Sequence, residues 1–76
     1  MANSERVQGF IVLLERLKAG EPIETEMFDQ WGPIKTIAES VSTSIAGAIN
    51  HAVMGGDWDR AISECQKLLG YPLDRE

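Results

Sequence analysis

The chain lacks most of the devices that hold small domains together or give them chemistry. Its single cysteine, Cys65, cannot close an intrachain disulfide, and small domains of oxidising compartments usually carry several cysteines. Cys65 and the single histidine, His51, fall short of the four ligands of a structural zinc site. The longest unbroken apolar run is Phe10 to Leu14, whereas a membrane-spanning helix needs about 20 apolar residues and a signal-peptide core at least about 7. The start Met1-Ala2-Asn3-Ser4-Glu5 carries no basic leader, so a cytoplasmic location is expected. Bases are scarce too. Seven Lys and Arg against twelve Asp and Glu give a net charge of −5, which disfavours phosphate backbones and anionic lipid surfaces as direct partners.

Catalytic signatures are equally thin. There is no glycine-rich phosphate loop after a strand, no HExxH and no EF-hand spacing. His51 could in principle act as a general base with Asp57 or Asp59 orienting it, or pair with Cys65 as a nucleophile. Cys65, however, stands between Ile62 and Leu68 on an apolar stripe, where a cysteine behaves as a small buried hydrophobe. His51 beside Ser44 and Gly47 reads better as a core-edge or interface residue. With 76 residues there is also little chain left over to enclose a substrate pocket of about 300 Å³. No enzyme, cofactor or metal site is expected.

What is present is helical periodicity within one small, all-α domain. Four helices are expected, over residues 4–19, 23–31, 33–54 and 57–69, with a loose tail at 73–76. Ser4 reads as the N-cap of the first, whose stripe is Val7, Phe10, Ile11, Leu14 and Leu17, with Gly20 ending it. The second carries Ile23, Met27 and Trp31, and Gly32-Pro33 is expected to break it. The third should be long and central, its seam running through Ile34, Ala38, Val41, Ile45, Ala48 and Ala52. Gly55-Gly56 ends it, and Asp57 caps the fourth, whose stripe is Trp58, Ala61, Ile62, Cys65, Leu68 and Leu69.

The stretch Gly56-Asp57-Trp58-Asp59-Arg60-Ala61-Ile62, with Gln66-Lys67-Leu68-Leu69 and Pro72, resembles the turn and second helix of a tetratricopeptide repeat. The resemblance covers about a third of the chain and implies that the third and fourth helices form a tightly packed antiparallel hairpin. The preceding helix departs from the pattern, with Ile45 and Ala52 where the family usually has tryptophan and tyrosine, and the closing proline is one residue early. A solenoid needs at least about three repeats, and this chain has room for one.

Two features suggest function. Between Ala19 and Asp59 the acids Glu21, Glu24, Glu26, Asp29, Glu39, Asp57 and Asp59 face one base, Lys35, so this block carries 1 − 7 = −6. It reads either as a solvated face or as a patch for a basic protein partner, even one imitating a nucleic acid. Glu21, Glu24, Glu26, Asp29, Asp57 and Asp59, with the neighbouring Trp31 and Trp58, are the candidate partner-binding residues. The second feature is a strip of small or polar residues, Ser40, Ser44, Gly47 and His51, on one flank of the third helix. It suits self-association, a dimer above all. The leading expectation is therefore a protein-binding module, in the manner of an inhibitor that occupies a basic, nucleic-acid-binding surface. A homo-oligomeric assembly or adaptor module comes second. A helix-turn-helix DNA-binding protein comes third, because the exposed side of the fourth helix has no net positive charge.

Overall fold

The computed structural model describes residues 2–74, and they form four α-helices. These are α1 (Asn3–Lys18), α2 (Glu24–Val41), α3 (Thr43–Gly55) and α4 (Trp58–Leu68). They pack in a ring, α1 on α2, α2 on α3, α3 on α4 and α4 back on α1, with the α3/α4 contact the most extensive. The outer helices lie within a residue of their expected bounds. Val7, Phe10, Ile11, Leu14 and Leu17 of α1 are all buried, as are Ala61, Cys65 and Leu68 of α4. Left-handed glycines shape two of the turns. Gly20 (φ 98°) follows α1, and Gly56 (φ 72°) closes α3, both in a conformation that side-chain-bearing residues adopt at a cost. Asp57 then caps α4 by accepting a hydrogen bond from the Arg60 N–H at 3.2 Å.

The middle of the chain differs from its expected division. There is no long third helix: α3 has 13 residues, and α2, with 18, is the longest element. The break falls at Ser42 and not at Gly32-Pro33. Pro33 lies inside α2, where its missing N–H and ring clash disfavour the helix by about 3 kcal/mol. Continuing the helix, however, buries Ile34, Ile37 and Ala38 beyond it, and large aliphatic side chains gain about 1.5–3 kcal/mol each on full burial. Gly32 eases the passage, because the main objection to a helical residue before proline is a clash with its Cβ. At Ser42 the balance reverses. Val41 and Thr43 are β-branched, and the Ser42 hydroxyl competes for a backbone donor, accepting from the Ile45 N–H at 3.1 Å. With φ −160° and ψ 106°, Ser42 turns the chain while its own N–H still reaches the Ala38 carbonyl at 2.8 Å.

The expected loose tail also needs correction at Leu73 and Asp74. Leu73 is buried, and its carbonyl accepts from Asn3 Nδ2 at 2.9 Å. The Asp74 carboxylate accepts from the Asn3 N–H, the Ser4 N–H and the Ser4 hydroxyl. The N-terminus of α1 is thus capped from the other end of the chain, and the expected cap, Ser4, is inside the helix. Residues 75 and 76 of the expected tail lie outside the described residues.

The core is apolar throughout: among the described residues no polar or charged side chain is buried. Within it the Phe10 and Trp31 rings stack at 5.6 Å between centroids and 24° between planes. The Trp31 Nε1–H donates to Asn50 Oδ1 at 3.0 Å, tying α2 to α3.

Candidate functional site

The acidic block divides in three dimensions. Glu21 is held by Arg16, which donates to its carboxylate from Nε at 3.1 Å and from Nη2 at 2.9 Å. The Arg16 pKa is raised, first by this hydrogen bond, then by the charge of Glu21, with Glu26 adding a smaller contribution. Asp59 pairs with Lys18 at 2.6 Å, and that bond, followed by the charge of Asp59, raises the lysine pKa. Both bases come from α1, outside the acidic block. Asp57 is committed to capping α4. Glu24, Glu26 and Asp29 are exposed along the first half of α2 and make none of the ion pairs found among the described residues. Glu24 and Glu26 occupy its first turn, where carboxylates complement the helix dipole.

The two tryptophans divide as well. Trp31 is 5% exposed and belongs to the core, whereas Trp58 is half-buried at the start of α4. The small-residue strip is split by the break at Ser42. Ser44, Gly47 and His51 lie exposed on one face of α3, continued by the 64%-exposed Met54. Ser40 belongs to α2, and its hydroxyl donates to the Ile37 carbonyl at 2.6 Å.

An open groove of about 770 Å³ runs between α1 and α2. Phe10, Leu13 and Ile34 supply its apolar lining, Glu26 and Asp29 edge it on α2, and Glu5 and Arg6 edge it on α1. Gly9 and Pro33 line it as well. Both are poor helix formers in helix interiors. A Cβ placed on Gly9 would meet nothing within 4 Å, so no close approach of a neighbouring segment requires glycine there. Because Pro33 has no N–H, the Asp29 carbonyl one turn earlier lacks its regular helical donor. The groove was not expected from the sequence, although the two helix-disfavouring residues within amphipathic stretches were a usable signal.

His51 and Cys65 face different surroundings. His51 is exposed, beside a small hollow of about 130 Å³ shared with Asp57 and Arg60. Cys65 is fully buried, and burial, with a lesser contribution from Glu64, pushes its thiol up to about 12. Among the described residues no cluster of His, Cys, Asp and Glu could hold a metal ion, and no helix is long and apolar enough to cross a membrane. Compared with known protein families, curated proteins and solved structures, the chain matches none.

Proposed function

We propose that this chain is a protein-binding module that presents an acidic face to a basic surface of a partner protein, in the manner of an inhibitor occupying a nucleic-acid-binding site. The observation that carries the reading is the contrast among the acids. Glu21, Asp57 and Asp59 are engaged in ion pairs or a helix cap, whereas Glu24, Glu26 and Asp29 are exposed on α2 outside those pairs, Glu26 and Asp29 on one side of the helix. Such charges accelerate encounter with a basic surface and select against acidic ones. Affinity capture at low salt tests this with the Glu24→Gln/Glu26→Gln/Asp29→Asn variant as its control, circular dichroism confirming that the variant is folded. A basic protein retained by the native chain, released by a competing polyanion and lost with the variant is the expected result. Equal recovery by both chains overturns the reading.

The exposed face of α3 favours a second reading, self-association. Ser44, Gly47, His51 and Met54 recur at helical spacing on that face, and a Cβ on Gly47 would meet nothing within 4 Å. Ser44 and Gly47 keep the first half of that face low in profile, which lets a second helix approach closely there. Sedimentation over a concentration series should show reversible dimerisation that weakens in Gly47→Leu, and a monomer at every concentration rules it out.

A further inference from the structure

We infer that the groove between α1 and α2 is the docking site for a basic, amphipathic helix of the partner protein. This rests on the acidic-face reading and locates it. Gly9 and Pro33 both weaken the helices that carry them, both line the groove, and no internal contact accounts for Gly9. Local rules broken without an internal reason concentrate at functional sites. A side chain at position 9 would project into the unfilled space of the groove.

Charge and backbone chemistry define the occupant. Glu26 and Asp29 edge the α2 wall, where the Asp29 carbonyl is also short of a donor. This wall is rich in acceptors and suits Arg or Lys side chains. Arg6 on the α1 wall repels the same groups, so the basic flank of the occupant lies toward α2. Half-buried Leu13, set over the buried Phe10 and Ile34, offers a small apolar floor. A groove between two helices has no strand edge for main-chain pairing, whereas a helix satisfies its own backbone and presents one face of side chains to both walls. The α1 wall from Glu5 to Leu13 is about 12 Å long at 1.5 Å per residue, enough for about two turns of the occupant and apolar anchors at i, i+3 or i+4, and i+7.

The test uses the full chain and a synthetic helical peptide of about four turns, with leucines at those spacings and arginines on one flank, beside a twin carrying glutamates for the arginines. Fluorescence anisotropy should show binding of the arginine peptide only, weakening at least about tenfold as salt rises from about 50 to about 500 mM. Gly9→Leu should raise the thermal midpoint by roughly 4 °C and weaken peptide binding by at least about tenfold, since it fills the groove. Gly55→Ala, at an equally open helical glycine that ends α3 away from the groove, should leave peptide binding unchanged. Native affinity in a folded Gly9→Leu protein, equal binding of the glutamate peptide, or no binding of either peptide overturns the proposal. Binding lost in Glu24→Gln/Glu26→Gln/Asp29→Asn but kept in Gly9→Leu overturns the groove and leaves the acidic face standing. Partner capture that survives the triple variant, while the peptide still needs an open groove, overturns the acidic face alone.

Discussion

The Asp74 carboxylate accepts a hydrogen bond from the Ser4 hydroxyl, joining residues 70 positions apart. Together with the Asn3 and Ser4 N–H groups, that hydroxyl favours the charged carboxylate and holds its pKa below the ordinary value, the Ser4 hydroxyl being the largest cause. A carboxylate depressed in the folded state adds stability at pH values above its unfolded pKa, about 4, and loses it as pH falls through the depressed native value. Asp74→Ala should therefore lower the melting midpoint by a few degrees at neutral pH. The gap between variant and native chain should close as pH falls through the depressed native pKa of Asp74, below the ordinary carboxylate range. Thermal melts across pH check this, and a gap that persists unchanged at low pH contradicts it.

The bond between Trp31 and Asn50 gives a second prediction. Asn50 is the only side-chain hydrogen-bond partner of the buried indole N–H among the described residues. An unpaired buried donor costs about 1–3 kcal/mol. Asn50→Ala should lose about that much in urea denaturation, with a change in tryptophan emission in the folded state. Asn50→Asp keeps an acceptor and should lose less at neutral pH.

The two unconventional positions of the middle helices make opposite predictions. Ser42→Ala removes the cap of α3 and should destabilise by about 1 kcal/mol. Pro33→Ala restores a donor to the Asp29 carbonyl and should stabilise by about 1–3 kcal/mol, while weakening any basic ligand that uses this carbonyl. Chemical denaturation of both variants measures the pair, and a Pro33→Ala protein less stable than the native chain contradicts the account.

These positions also show what the sequence made legible. The outer helices were readable because every local signal agreed: the stripe from Val7 to Leu17 ends just before Gly20, and Asp57 follows the Gly55-Gly56 turn. The middle departs from its local signals because Gly32-Pro33 is the stronger local breaker, and its suppression depends on burial of Ile34 and Ile37 in the core. Val41-Ser42-Thr43 is the weaker breaker, but nothing outweighs it. The acids were visible from composition. Their pairing was not, because Arg16 and Lys18 reach Glu21 and Asp59 from α1. The groove needs the relative placement of α1 and α2, and the Asp74 cap needs both ends of the chain to meet. Neither is encoded in local spacing.

Cys65 provides the last test, because its burial separates a packing role from a chemical one. Its thiol is fully buried and pushed up to about 12. An ordinary thiol near 8.5 is about one-quarter ionised at pH 8, whereas one at 12 is ionised only about once in 10,000 molecules. Since the thiolate is the reactive form, labelling by a disulfide reagent at pH 8 should be slower than for a free cysteine by at least about three orders of magnitude. Burial slows it further by requiring the structure to open before the reagent can reach the sulfur. Denaturant should restore ordinary labelling across the unfolding transition, and destabilising variants such as Asn50→Ala should label faster in proportion to their lost stability wherever opening and closing outpace the reagent. Rapid stoichiometric labelling of the folded native chain would mean that the α4 stripe opens without unfolding, which a core cysteine held by packing does not allow.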